Sequence, residues 1–435
     1  MNWPKDGVIS PVVGVPVEET RLQITECRMR NRIAAGAVTV LTALALAGCS
    51  GAPPVEVAES RQAMDAAVSV RAVAPTEAAA RRALEAAWKE MDECVLRLDG
   101  HRGPTEAWLK GDPAARKDPL HQPSDVWRIN ADAGKFAAVV DPMVTSCLAA
   151  AREVYDLSGG AFDPTVGPLI ALWRDAAGEN RMPTDAEIEK ARSLVGMNKI
   201  EMLIAEAPPS PDEPPPSLPG SPPGAAGAPV LNMVGLAPGM KLDLGGIARG
   251  FIIGRMAERM KRAGATAGLI AVAGRLYAFG ERPRGADGRK SAGPWTVDVP
   301  DPRYPEDKTH IYTAVRLRNQ AIATIGCSDR ADTIEGRRFS SIVDPNTGRP
   351  VDTRLASITV VADDPAVADA VATAIAVMGV EKGLAMVEEA VGVECLFLEG
   401  PPDAPLRADG APAPDAPLIA HRSKGFAALE VKPGE

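Results

Sequence analysis

The sequence predicts an α+β fold, with mixed or antiparallel sheets against which helices pack. Apolar residues recur at helical spacing in several stretches, while most strand-like apolar runs follow one another without an intervening helix. The hydrophobic content of 46% in a chain of 435 residues is enough for a sizeable core.

The N-terminal region carries an export signal. Residues 29–32 form a basic start, residues 33–46 are apolar, and Leu-Ala-Gly-Cys follows at positions 46–49. Small residues at the cut site are typical of a signal peptide, here 29–49. The ending resembles a bacterial lipobox, in which Cys49 becomes the lipidated first residue. An ordinary signal peptide or a single membrane helix is the alternative, although the run is short for a span.

The rest of the chain divides by composition. Residues 1–28 lack a signal pattern and indicate a start codon assigned too early, or disorder. Residues 50–61 are interpreted as a tether, and 62–430 as one folded domain. Within this domain, 208–229 is rich in proline and is predicted to be a disordered insertion between two strands.

The folded domain begins with a predicted strand at 64–74. Apolar spacing then predicts helices at 75–94, 141–157, 184–194 and 365–378, with a capped helical turn at 124–130. Glycines beside Asp-Pro predict an ordered loop at 158–169. Further strands are predicted at 199–204, 268–279, 295–299, 311–317, 321–325 and 357–361.

Charge and cysteine usage exclude several classes of protein. The net charge of −9 argues against nucleic acid as a partner, because phosphate binding needs a basic face. Cys94, Cys147, Cys327 and Cys395 are widely spaced, so a metal–thiolate site is not expected. Isolated buried thiols are the default, and export leaves disulfides open.

A glycine-rich turn at 242–250, Leu-Asp-Leu-Gly-Gly-Ile-Ala-Arg-Gly, is the first candidate site. A strand end precedes it, and apolar residues at helical spacing follow it. Such a turn either joins two packed elements or lets backbone and the free N–H groups of a helix N-terminus approach an anion.

The second candidate site is a buried helix at 365–378 whose polar side chains are Asp369 and Thr373, four residues apart and thus on one face. A buried carboxylate needs a cation, a set of donors or a position near the surface. Oxygen ligands of this kind suit Mg²⁺ or Ca²⁺. The alternative is that Asp369 complements the helix N-terminus while Thr373 bonds back to a carbonyl.

Together these motifs resemble the ApbE family, the FAD:protein FMN transferases. The resemblance runs in order through five motifs: Ser-x5-Asn at 124–130, Gly-Gly-Ala-Phe-Asp-Pro-Thr-Val-Gly at 159–167, the turn at 242–250, Val-Asp-Pro-x-Thr-Gly at 343–348, and Ala-Asp-Ala-x2-Thr at 368–373.

The resemblance implies an ApbE-like, T-fold-type domain that uses FAD with Mg²⁺. It implies transfer of FMN to a Thr or Ser hydroxyl of an acceptor protein, a redox-pump or electron-transfer subunit, with release of AMP. The protein would be an exported lipoprotein on the periplasmic face of a bacterial membrane. The implied metal ligands are Gly246, Asp369 and Thr373, and Asp369 also counts among the catalytic residues. The implied FAD contacts are Met64, Ala161, Phe162, Asp163, Asp243, Arg249 and Ile342.

The chain departs from the family pattern at four places. Arg249 replaces a lysine, and Ser341 stands where the family has a histidine, the candidate general base, so Ser341 is the candidate catalytic residue there. Ile325 replaces the serine of Thr-Ser-Gly, and Arg275 replaces the acid of Asn-x-Gly-Gly-Asp. These changes leave two alternatives open: a catalytically impaired flavin- or nucleotide-binding lipoprotein, and an FAD pyrophosphate hydrolase.

Overall fold

The structure of the chain is a computed structural model, and it describes residues 53–206, 230–283, 292–307, 309–326, 331–352, 354–401, 407 and 410–431. The strands are Val55–Ala63 (β1), Ala66–Ala74 (β2), Ala138–Val140 (β3), Glu201–Glu206 (β4), Val230–Gly235 (β5), Ala267–Val272 (β6), Arg275–Phe279 (β7), Trp295–Pro300 (β8), Ile311–Leu317 (β9), Gln320–Ile325 (β10), Asp332–Ile334 (β11), Arg337–Phe339 (β12), Leu355–Ala362 (β13), Val393–Glu399 (β14) and Ile419–Arg422 (β15). The helices are Glu77–Leu98 (α1), Glu106–Leu109 (α2), Pro113–Lys117 (α3), Asp125–Ala131 (α4), Pro142–Leu157 (α5), Gly167–Gly178 (α6), Asp185–Arg192 (α7), Ala248–Arg262 (α8), Pro365–Glu389 (α9) and Phe426–Leu429 (α10).

Eight strands form the main sheet in the order β1-β2-β6-β7-β10-β13-β14-β15, and each neighbouring pair is antiparallel. Smaller sheets join β3, β5 and β4, then β8 with β9, and β11 with β12. The predicted α+β class with antiparallel sheets and packed helices is confirmed.

Alternate residues of each strand face opposite sides of the main sheet, so the sheet separates two cores. In β6, Ile270 and Val272 belong to the large core shared with α1, α8 and α9. Their neighbours Leu269 and Ala271 belong to a smaller core shared with the β8–β9 ribbon. Both faces of β6 are therefore buried, which explains its continuous apolar sequence.

The predicted helices begin directly after their N-terminal capping residues. The Thr76 hydroxyl accepts a hydrogen bond from Ala79 N, and the Ser124 hydroxyl accepts one from Trp127 N. Thr184 and Glu187 form a reciprocal capping box at the start of α7. Side-chain oxygens thus satisfy N–H groups that the first helical turn leaves unpaired.

Three predictions about elements are wrong. Residues 55–61 are not tether but most of β1, which pairs with β2 along its whole length. The single strand predicted at 268–279 is a hairpin, because Ala273 and Gly274 adopt positive φ angles of 46° and 81° and reverse the chain. The loop predicted at 158–169 ends earlier, since α6 begins at Gly167. The signal peptide at 29–49 and the insertion at 208–229 lie outside the described residues.

Helix α9 runs through the large core, as its apolar sequence predicts. Asp364 caps it by accepting hydrogen bonds from Ala366 N and Val367 N, and the helix kinks at Gly379, where φ is 76°. It is long and apolar enough to cross a membrane, but half of its most apolar stretch is buried inside the protein. Its first half, which is the most deeply buried, carries the predicted acid.

The connections at one end of the main sheet define the position of the site. The β1–β2 turn, the β6–β7 turn, the end of β10 and the start of β13 meet there, because antiparallel neighbours alternate in direction. A cleft opens at this end of the sheet.

Candidate functional site

The cleft has a volume of about 1270 Å³. This exceeds the volume of most small-ligand pockets, so it has room for an extended ligand such as a dinucleotide. Its wall contains residues from four of the five motifs identified in the sequence. The predicted site residues that line it are Met64, Ala161, Phe162, Asp163, Asp243, Gly246, Arg249, Ser341, Ile342 and Thr373.

The glycine-rich turn is fixed from both sides. The Asn130 carboxamide donates to Leu242 O over 3.0 Å and accepts from Leu242 N over 2.7 Å, across 112 residues of sequence. On the other side, Asp243 N donates to Pro164 O, and Lys241 forms a parallel bridge with Val166. Asn130 therefore positions the turn, which gives the Ser-x5-Asn motif a structural role.

The turn itself is closed by its acid. Asp243 Oδ1 accepts a hydrogen bond from Gly245 N over 2.8 Å, and the chain then enters α8. Ala248 and Arg249 of the first turn of α8 line the cleft. The helix N-terminus, with its partial positive charge, is thus at the cleft wall.

The motif at 159–167 forms the facing wall. Asp163 is buried, with Oδ1 accepting from Thr165 N and Thr165 Oγ1, and Oδ2 accepting from Met197 N. Burial raises the pKa of Asp163, and hydrogen bonds from Thr165 and Met197 oppose that rise. These bonds show that Asp163 holds its loop, and its position beside Ala161 and Phe162 keeps it at the cleft.

Gly246 lies between Phe162 and Thr373. A Cβ at Gly246 would stand 3.1 Å from a ring carbon of Phe162 and 3.1 Å from Thr373 Oγ1. The absence of a side chain at this position therefore lets two of the predicted motifs meet. Gly246 and Thr373, two of the three predicted metal ligands, are neighbours in the structure.

The third predicted ligand, Asp369, lies behind the cleft wall and is fully buried. Arg275 Nε donates to Asp369 Oδ1 over 2.7 Å, and Gly250 N donates to Asp369 Oδ2 over 3.1 Å. Arg275 lines the cleft and its side chain is 14% exposed. The buried carboxylate of Asp369 is thus paired with a cation, and this cation is the guanidinium of Arg275.

Thr373 adopts the alternative predicted for it. Its hydroxyl donates to the Asp369 carbonyl oxygen over 3.3 Å, one helical turn back. Its side chain also borders the cleft beside Gly246.

The donor set does not fit a Mg²⁺ ion. Proteins usually hold Mg²⁺ with one or two carboxylates, waters and substrate phosphates. The one carboxylate of this set accepts hydrogen bonds at both of its oxygens, from Arg275 and from Gly250. An ion at Oδ1 would also face the guanidinium charge of Arg275.

Ser341 and Ile342 stand on the β12–β13 connection at the cleft rim. Ser341 is exposed, while its neighbour Ser340 is buried and accepts a hydrogen bond from Ile342 N. Downstream, Asp344 accepts hydrogen bonds from Asn346 N and Thr347 Oγ1, which closes the turn of the motif at 343–348. This turn holds the Ser341 position against the cleft.

Several cleft residues were not predicted. Arg174 and Lys241 add positive charge, and Asp298 and Asp301 add negative charge from the end of β8. The sequence pattern around them does not distinguish a site residue from a solvated surface charge. Arg275 was recognised as a departure from a motif, but its pairing with Asp369, 94 residues away, depends on the approach of β7 to α9.

Sequence comparison identifies relatives of this chain. The model of the ApbE family matches residues 115–397. The chain is 29% identical over 283 residues to the FAD:protein FMN transferase of Treponema pallidum, covering 64% of this chain and 71% of that protein. It is 26% identical over 275 residues to the FAD:protein FMN transferase of Klebsiella pneumoniae, covering 63% and 75% of the two chains.

Solved structures share the fold. The apo form of the flavinyl transferase ApbE of Pseudomonas stutzeri superposes with a TM-score of 0.59 at 24% identity, covering 87% of this chain and 97% of that chain. The ApbE protein of Thermotoga maritima superposes with a TM-score of 0.61 at 24% identity, covering 87% and 100%. The predicted ApbE-like fold is thereby confirmed.

Proposed function

Because the chain belongs to the ApbE family, we propose that it is a flavin transferase that moves FMN from FAD to a Thr or Ser hydroxyl of an acceptor protein. The observation that carries the proposal is the cleft: all seven positions implied as FAD contacts, scattered between Met64 and Ile342, line one cavity of about 1270 Å³. The names of the sequence relatives support the same reaction.

The proposed reaction is one phosphoryl-type transfer. The acceptor hydroxyl oxygen forms a bond to the phosphorus of the FMN half, and the P–O bond to the AMP half breaks. AMP leaves with the electron pair of that bond, and the hydroxyl proton passes to solvent. Catalysis of such a transfer rests on holding the pyrophosphate in line with the hydroxyl and on stabilising its charge.

The residues of the cleft divide these tasks. The first turn of α8 directs the positive end of the helix dipole toward the pyrophosphate. Arg249 and Arg275 add positive charge at the same wall, while Ala161 and Phe162 provide apolar surface for the flavin. Asp369 orients Arg275 through the 2.7 Å hydrogen bond and so acts as a positioning residue.

The three residues implied as ligands do not favour the binding of Mg²⁺. The ligand positions Gly246, Asp369 and Thr373 lie together, but the carboxylate is already paired with Arg275. No step of the proposed reaction is assigned to a metal.

The setting that we propose is the periplasmic face of a bacterial membrane, with a lipid anchor on Cys49. The lipobox-like sequence at 46–49 supports it. The acceptor would then be an exported redox-pump or electron-transfer subunit. Metabolic labelling with a fatty acid tests the anchor: wild-type chain is expected in the membrane fraction with label, and Cys49→Ala is expected to lose both.

The transfer is tested with purified chain, FAD and an acceptor domain that carries a target Thr or Ser. Covalently bound flavin is followed by in-gel fluorescence, and AMP and FMN are followed by chromatography. Labelled acceptor with one AMP per flavin supports transfer. Free FMN with AMP supports the hydrolase instead, and bound but unchanged FAD supports the binding protein, for which the exposed Ser341 in place of a base is the favouring observation.

A further inference from the structure

Two hydrogen bonds hold the guanidinium of Arg275 at the cleft wall. Its Nε donates to Asp369 Oδ1 over 2.7 Å, and its Nη1 donates to Ala273 O over 2.9 Å. These bonds use two of the five N–H groups of the guanidinium. The side chain is 14% exposed and borders the cleft, so the charge is desolvated on one side and open to a ligand on the other.

The carboxylate that Arg275 neutralises is the one around which a metal would have to bind. Asp369 Oδ2 accepts from Gly250 N, and the Asp369 carbonyl accepts from the Thr373 hydroxyl. A divalent ion on this carboxylate would lie within a few ångströms of the guanidinium, at a place where burial strengthens the repulsion between like charges. The ion pair therefore excludes the ion.

We propose that Arg275 takes the place of a divalent cation in this cleft, so that the chain binds FAD without Mg²⁺. A guanidinium matches phosphate oxygens with two parallel hydrogen bonds and keeps its charge at every physiological pH. In the sequence, this cation occupies the position that holds an acid in the resembling motif, and an acid there would add a second carboxylate beside Asp369. Replacing that acid by Arg275 changes the charge at this position from negative to positive. The inference rests on the proposed flavin function.

The first test measures FAD affinity by flavin fluorescence on the purified full chain, with excess EDTA and with millimolar Mg²⁺. The two dissociation constants are expected to agree within about twofold. A tenfold or larger gain on addition of Mg²⁺, about 1.4 kcal/mol, would overturn the proposal. This outcome would leave the flavin function standing, whereas failure to bind FAD under both conditions would remove the flavin function and the inference with it.

The second test exchanges the charge. Arg275→Gln is expected to weaken FAD binding about tenfold or more in EDTA, because a charge-assisted bond to phosphate is lost. Arg275→Asp is expected to bind FAD only when Mg²⁺ is present, and calorimetry is expected to detect Mg²⁺ binding to Arg275→Asp but not to the wild type. Mg²⁺ binding to wild-type chain without FAD would contradict the proposal.

A matched control is Arg71→Gln. Arg71 lies on the same main sheet, pairs with Glu56 over 3.0 Å and has a side chain that is 19% exposed, but it does not line the cleft. Its FAD affinity is expected to equal that of the wild type with and without Mg²⁺. If Arg275→Asp does not fold, as circular dichroism would show, the EDTA comparison on the wild type still decides the question.

Discussion

Gly250 lies so close to Pro365 that a Cβ on Gly250 would stand 2.0 Å from the Pro365 carbonyl oxygen. The same Cβ would be 2.8 Å from Asp369 Cβ. The last glycine of the turn at 242–250 is therefore where α8 and α9 meet, and its N–H bonds the buried carboxylate. The two candidate sites found in the sequence are one site because of this contact.

Gly250→Ala is expected to destabilise the protein by about 3 kcal/mol or more, since the obstructing atoms belong to backbone and cannot rotate away. Urea unfolding followed by circular dichroism measures the change. Gly178→Ala is the control: Gly178 also lies in a helix, but a Cβ there meets no atom within 4 Å. Its substitution is expected to be neutral or to stabilise by up to about 1 kcal/mol. Equal effects of the two substitutions would contradict the close approach of α8 and α9.

The buried pair of Arg275 and Asp369 predicts strong thermodynamic coupling. Asp369→Asn leaves the largely buried guanidinium of Arg275 without its counter-charge and is expected to cost about 3 kcal/mol of unfolding free energy. Combined with Arg275→Gln, the loss is expected to be smaller than the sum of the single losses by about 1–3 kcal/mol. Urea unfolding of the four proteins measures the coupling.

The exposed pair of Glu77 and Arg81 on α1 serves as the reference cycle. Its two side chains are both 60% exposed, and the expected coupling is below about 0.5 kcal/mol. A coupling between Arg275 and Asp369 as small as this reference would show that the pair does not form in solution.

Cys94, Cys147 and Cys395 are free and buried in the structure. Burial raises the pKa of each thiol to about 12. Iodoacetamide at pH 8 is therefore expected to leave all three unmodified in native protein and to modify them in urea, because the thiolate is the reactive species. Peptide mass spectrometry reads each site. Rapid native labelling of any of the three would contradict its burial.

The raised pKa values of these thiols also make the stability of the protein depend on pH. The folded pKa lies above the value of an exposed thiol, so the folded state keeps its protons longer than the unfolded chain. Stability contributed by these thiols is complete below about pH 9 and falls as the pH rises toward 12. Cys327 lies outside the described residues.

The sequence predicted the elements that local signals define. Helix α1 begins after Thr76 and α7 begins after Thr184, as their capping residues indicate. The hairpin at Ala273 and Gly274 was missed because alanine rarely adopts a positive φ, so Gly274 was the one turn signal inside a continuous apolar run. Strand β1 was missed because five of its nine residues are polar or charged. Its pairing with β2, which makes it a strand, is not visible in the local sequence.

The candidate site was predictable in its members but not in its pairings. Ten of the eleven predicted positions line the cleft. Local chemistry and the family resemblance were together enough to identify these ten positions. The partner of Asp369 was not predictable, because a buried acid accepts a metal, a guanidinium or backbone donors equally well until the fold selects one. The fold selects Arg275, which β7 carries to α9.

Ser341 defines the last prediction, which concerns the proton of the acceptor hydroxyl. Serine cannot take a proton near neutral pH, and the resembling motif has a histidine at this position. Because Ser341 is exposed at the cleft rim, a larger side chain there meets no core. Ser341→His is expected to raise the rate of FMN transfer by about 10²-fold, the lower end of general base catalysis.

The pH profile distinguishes this gain from a change in binding. An imidazole acts as a base only when neutral, so the added rate is expected to appear as the pH rises through about 6.5. The wild type is expected to lack that step. Ser193→His, on the surface after α7 and away from the cleft, is the control and is expected to leave the profile unchanged. A rate gain without a pH step would show that the histidine improves binding rather than proton removal.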